Sequence, residues 1–157
     1  QPVVLKNDFL ELTLNTKGAT VEKAVIKGFD DYKGNKEITL FDGEDQKLSY
    51  TLSAKETNIS TSDLYFVPSA VTDSTVTFTA EAAQGKSLTI EYRLGADYML
   101  HMKMYAEGMQ GLFAPGTQTM DVNWKDKCRQ QEKGFMFENR YATLTYHNTD
   151  GGTDYLS

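Results

Sequence analysis

Residues 7–29 read NDFLELTLNTKGATVEKAVIKGF. Leu10, Leu12 and Leu14 alternate with Glu11, Thr13 and Asn15, the period-2 pattern of a strand with one buried face, and Lys17-Gly18 supplies a tight turn after it. The next residues are ambiguous. Val21, Ala24 and Val25 have helical spacing, whereas Ala24 and Ile26 suit a strand if a bulge near Lys23 shifts the phase. The segment is short, has no capping residue before it and directly follows a strand and turn. An antiparallel hairpin therefore needs the least connecting chain and is the expected structure.

The same grammar continues downstream. A polar loop at 30–35 precedes an expected strand near Glu37–Phe41, a turn at Asp42–Asp45 and a second strand near Lys47–Leu52. Residues 55–62 are polar and read as a loop, ending in the apolar DLYFVP. STVTFTA and KSLTIEYRL form a strand pair about Gln84-Gly85, with Leu88, Ile90, Tyr92 and Leu94 on one face and Thr89, Glu91 and Arg93 on the other. DYMLHMKMYAEG continues the alternation: Leu100, Met102, Met104 and Ala106 share a face, opposite Met99, His101, Lys103 and Tyr105. TQTMDVNW and RYATLTYHN add two strands, and KDKCRQQEKGFMFEN between them is the one place for a short helix or irregular loop. Eight to eleven short strands with Gly-marked turns predict an all-β fold, an antiparallel β-sandwich formed by one domain over residues 1–157.

The totals narrow the functions. A 157-residue chain, 39% hydrophobic and 24% charged, is long enough to bury a core without staples. Its formal charge of −6 argues against nucleic acid and anionic membrane surfaces, whose binding rests on clustered Lys and Arg. Cys128 is the sole cysteine and cannot close an intramolecular disulfide. No apolar run approaches the roughly 20 residues that span a bilayer, so this stretch of chain is expected to be soluble. It begins with Gln1 rather than Met, which leads us to expect that it belongs to a longer protein.

Candidate chemistry is sparse. His101 and His147, the only histidines, show no His-x-His or His-x3-His spacing and read as two exposed side chains on the wetter faces of their strands. Asp42, Glu44 and Asp45 lack the twelve-position calcium-loop pattern and read as an acidic hairpin turn. Trp124 falls in phase with Met120 and Val122 and is expected in the core rather than on a sugar-stacking surface. Cys128 between Lys127 and Arg129 has no histidine beside it and reads as an inert thiol. Asn58-Ile59-Ser60 fits the glycosylation acceptor pattern, but so do many chance triplets. Phosphate loops and nucleophile elbows are absent from the sequence, so no enzyme is expected and no cofactor or metal is implied.

The opening NDFLELTLNTKGATVEKAVIKGF, DLYFVPSA at 63–70, QQEKG at 130–134 and the closing TDYLS, in this order along the whole chain, resemble the large periplasmic domain of YidC-type membrane protein insertases in its Bacteroidetes form. The resemblance implies a twisted β-supersandwich like that of galactose-mutarotase-type sugar-binding domains. It also implies a place at the periplasmic face of the bacterial inner membrane, between a transmembrane anchor and the transmembrane insertase core. The role implied is accessory: assisting insertion and folding of membrane proteins beside the Sec translocon, with SecD/SecF-type components and nascent membrane proteins as partners. The groove arginine and amphipathic helices of the insertase core have no counterpart in this chain, so no catalytic residue carries over. The family's domain is usually longer, which leads to the expectation that strands of the second sheet are missing and a sheet edge is exposed.

A partner surface is expected where charged and aromatic groups share one sheet face: Glu91, Arg93, His101, Lys103 and Tyr105, together with the irregular segment 127–139. The alternative is a carbohydrate-binding or mutarotase-like module, which requires His101 or His147 to meet a carboxylate and an exposed aromatic in a concave face. A secreted adhesin or lipoprotein sandwich is the other rival.

Overall fold

A computed structural model of the chain describes residues 2–117 and 119–156. Its strands are β1 (Val3–Lys6), β2 (Leu10–Asn15), β3 (Thr20–Lys27), β4 (Glu37–Asp42), β5 (Gln46–Ser53), β6 (Asn58–Ser60), β7 (Val67–Ser69), β8 (Thr75–Ala83), β9 (Lys86–Leu94), β10 (Leu100–Glu107), β11 (Asp121–Asp126), β12 (Leu144–His147) and β13 (Thr153–Leu156). One helix, α1, covers Phe135–Tyr141. The fold is all-β, as the alternation predicts.

Two antiparallel four-stranded sheets, in the orders β1-β2-β3-β4 and β10-β9-β8-β7, carry the core. Leu5, Leu10, Leu12 and Leu14 from the first meet Val76, Phe78, Ile90 and Tyr92 from the second in one buried cluster. This is the two-layer packing that half-buried strands require, each sheet hiding the apolar side of the other from water. Phe78 and Tyr92 meet edge to face, with ring centroids 6.3 Å apart. The Tyr92 hydroxyl donates a 2.8 Å hydrogen bond to the Ala19 carbonyl, tying the centre of one sheet to the β2–β3 turn of the other.

The ambiguous stretch after Gly18 is a strand, and it is bulged. The register runs Thr13↔Lys23 and then Leu14↔Val21, so Glu22 is the extra residue, next to the predicted Lys23. A second shift, between Ala24 and Val25, leaves Leu40 of β4 as the extra residue, and Ala24 and Val25 are both buried from opposite faces of β3. At the far end of β10, Gly108 has φ +63°, and a Cβ there would overlap the Gly85 carbonyl oxygen. Only glycine permits that close approach to the β8–β9 turn.

Three readings need correction. Residues 55–62 are not all loop, because Asn58–Ser60 pairs with Thr51–Ser53 as β6. Asp42–Asp45 is not a plain turn: Gly43–Asp45 forms a 3-10 turn whose capping box joins Asp42 and Asp45. Arg140 and Tyr141, read as strand, close α1 instead, and only Leu144–His147 of that segment is extended. Gln118, inside TQTMDVNW, lies outside the described residues.

Trp124 is the largest departure. It is 53% exposed and Val122 58%, although both sit in phase on β11 as expected. Among the described residues β11 pairs with β5 alone, at the end of the three-stranded sheet β11-β5-β6, and every residue of it is exposed. Correct alternation thus produced an uncovered face.

Candidate functional site

The wet face of β9 and β10 is assembled by register. His101 stands opposite Arg93, Lys103 opposite Glu91 and Tyr105 opposite Thr89, so alternation delivers the five expected surface residues to one side of the sheet. Thr75 and Thr77 of β8 adjoin them around a depression of about 320 Å³.

The charges on this face are unequally engaged. Glu91 accepts a 2.8 Å hydrogen bond from the Tyr105 hydroxyl, which raises the phenol's pKa above its ordinary value. The Lys103 ammonium lies 5.5 Å from the centroid of the Tyr105 ring, a cation–π contact. Neither Arg93 nor Lys103 joins any of the ion pairs found among the described residues. Thr89, placed by alternation on this face, is nevertheless buried, beside the Thr79 hydroxyl at 3.5 Å. The face therefore carries both signs of charge: Arg93 and Lys103 beside Glu91, with Glu107 and Glu81 in phase at its Ser87 end.

The opposite side of β10 borders an apolar groove of about 640 Å³, which sequence reasoning missed. Leu12, Ile26, Leu48, Leu100, Met102 and Trp124 line it, from five different strands. No charged residue contributes to the lining. At one end Gln46, 9% exposed, has a carbonyl oxygen (Oε1) buried without a hydrogen-bond partner.

The segment 127–139 does not join that face. Arg129 donates a 2.6 Å hydrogen bond to Asp45, and Gln131 donates through its side chain to the Thr39 carbonyl at 3.0 Å. The segment instead packs beside the 28–39 region around a polar depression of about 800 Å³. The Arg129 guanidinium holds the Asp45 carboxyl below the ordinary carboxylate range. Cys128 is exposed. Among the described residues no group of three or more His, Cys, Asp or Glu side chains has metal-site geometry. His147 faces the Thr153 hydroxyl at 3.0 Å in the β12–β13 hairpin, and His101 has Arg93 as its cross-strand neighbour.

Residues 2–155 match the family model of the YidC periplasmic domain. The chain belongs to that family. The YidC membrane protein insertase of Phocaeicola vulgatus is 40% identical over 158 residues, covering 100% of this chain and 25% of that protein. Those of Parabacteroides distasonis and Bacteroides fragilis are 35% and 34% identical over 98% of this chain. The chain thus spans about a quarter of the length of these relatives. No solved structure matches it. The family is that of a periplasmic domain carried by inner-membrane insertases, and none of the described helices is long and apolar enough to cross a membrane.

Proposed function

We propose that this chain is an accessory, non-enzymatic periplasmic domain of a membrane protein insertase, folding as one unit over residues 1–157 and acting through partner contacts. The insertion activity named for the relatives would reside in the three quarters of their length that this chain does not span. Partners of the kind the family suggests are nascent membrane proteins and SecD/SecF-type components of the Sec translocon.

One observation carries this reading: Arg93 and Lys103, free of ion pairs among the described residues, are exposed with His101 and share a sheet face with half-buried Tyr105. Loops vary and fray, whereas a sheet face holds its groups in fixed register, which suits a scaffold presenting charge to a partner. The test is made in the full-length insertase. Reversing both charges (Arg93→Glu with Lys103→Glu) is expected to abolish chemical crosslinking to translocon partners while leaving the protein's level in the membrane unchanged. Unchanged crosslinking would remove this face from the partner surface.

A further inference from the structure

The apolar groove beside β10 is open to water: Val122 and Trp124 on one wall and Met102 on the other are all exposed. A concave apolar surface of this kind marks a binding site, and a cavity of about 640 Å³ is of the size that holds a small molecule. The polar groups inside it set the chemistry of the ligand. Tyr50 and Tyr92 reach the groove, but their hydroxyls already donate, to the Met102 sulfur at 3.2 Å and to the Ala19 carbonyl at 2.8 Å. Gln46 Oε1 has no donor, although the residue is only 9% exposed. A carbonyl oxygen buried without a partner has lost its hydration, and a donor brought by a ligand restores the missing bond.

Register sets a carboxylate beside that oxygen. β5 and β11 pair Tyr50 with Val122 and Leu48 with Trp124, all four lining the groove, and the same ladder ends on Gln46 with Asp126. Alternation therefore places Asp126 on the groove side of β11, at the Gln46 end. It joins none of the ion pairs found among the described residues. The cations near it are turned away or engaged. Lys125 and Lys47 form the next pair of the ladder and so lie on the far face, where Glu44 holds Lys47 at 2.7 Å. Lys127 and Arg129 line the polar depression, with Arg129 bound to Asp45, and Lys23 is paired with Asp42 at 3.1 Å. Burial first, and the nearby Asp45 carboxylate to a smaller degree, raise the Asp126 pKa against the lowering effect of the Lys127 amide.

We infer that the groove binds a small amphiphile with a protonated amine head, whose apolar body covers Leu48, Met102 and Trp124 and whose ammonium donates to Gln46 Oε1 and the Asp126 carboxylate. An ammonium has three protons to donate and serves both oxygens at once. A hydroxyl head has one, and a carboxylate head has none and is repelled by Asp126. The site lies across β10 from the charged β9–β10 face and does not depend on reading that face as a partner surface.

Trp124, the sole tryptophan of the sequence, reports occupancy from inside the groove. The probes are octylammonium, octanol and octanoate, one chain with three heads, titrated against this chain at neutral pH below any concentration that alters its far-UV circular dichroism. A saturable blue shift of Trp124 emission is expected with octylammonium, at about tenfold lower concentration than with octanol, and none with octanoate. Asp126→Asn should bring octylammonium to the octanol level. Gln46→Leu should weaken octylammonium binding about tenfold while leaving the urea midpoint unchanged or higher, because it removes an unpaired buried acceptor. A merely structural Gln46 would lower that midpoint instead. If Gln46→Leu does not fold, the Asp126→Asn titration decides. Equal affinity for the three heads, octylammonium binding undiminished in Asp126→Asn, or no saturable binding overturns the inference. A Trp124 shift that appears on raising the protein concentration alone makes a second copy the occupant and overturns it too. So does an apolar peptide ending in lysine that binds more tightly than octylammonium, which makes a polypeptide the occupant.

Discussion

β9 and β11 have nearly the same pattern and opposite fates. In KSLTIEYRL every second residue from Leu88 to Leu94 is buried, whereas in DVNWKD the in-phase Val122 and Trp124 are more than half exposed. β9 lies inside its sheet, between β8 and β10, and faces the β1–β4 sheet. β11 has one neighbour among the described residues and stays exposed along its length. Alternation states which side chains share a face; burial depends on whether another sheet covers that face.

The contrast breaks most readily in the core. Phe78→Ala is expected to cost about 3–5 kcal/mol in urea unfolding, because a wholly buried ring leaves a cavity between the sheets. Trp124→Ala, a larger truncation by volume, should cost no more than about 1 kcal/mol. A loss at Trp124 comparable to that at Phe78 would mean that β11 is packed after all.

Tyr92→Phe sharpens the comparison by testing a polar contact inside the dry layer. It removes the bond to the Ala19 carbonyl and should cost about 1–2 kcal/mol. Burial pushes the Tyr92 phenol well above its ordinary pKa, so the unfolded chain releases that proton first as pH rises. The native state is therefore stabilised below about pH 10 and loses that contribution above it. The variant should show a shallower fall in alkaline stability than the parent, read from urea midpoints across that range.

The smallest effect belongs to the periphery. The folded Asp45 carboxyl is held below its ordinary value of 3.8 by Arg129, so this pair contributes above that value and is lost as pH falls through the folded one. Arg129→Ala should erase an acid-induced rise in amide exchange over residues 127–131 and leave β8 and β9 untouched. An equal response in β9 would join the two regions energetically.

Much of the sandwich was legible because its central strands are long and cleanly alternating: β2, β8 and β9 follow from Leu10–Leu14, STVTFTA and KSLTIEYRL. Short edge strands were not. β1, β6 and β7 have three or four residues each, too few for a periodic signal, and gain their conformation from the neighbours they pair with. The partnering of β11 with β5 joins Trp124 to Leu48 across a long separation in sequence, a tertiary choice that no local pattern encodes. The same distinction divides the site. His101, Lys103, Tyr105, Glu91 and Arg93 share a face through alternation and hairpin register alone, and that face was readable. The groove was not, since Leu12, Leu48, Leu100 and Trp124 reach it from strands scattered along the chain.

The account's central claim is that a closed core carries a charged β9–β10 face for a partner, beside an edge that makes no backbone pairing among the described residues. Native-state hydrogen exchange, compared between this chain alone and the same residues within the full-length insertase in its membrane, tests it most directly. The account predicts that amides at Ile90 and Tyr92 exchange only through global unfolding in both settings. Those at Leu100, Met102 and Met104 should exchange readily in the chain alone and slow in the assembled protein. Protection at β10 that is already complete in the chain alone, or that stays absent in the assembled insertase, would contradict it.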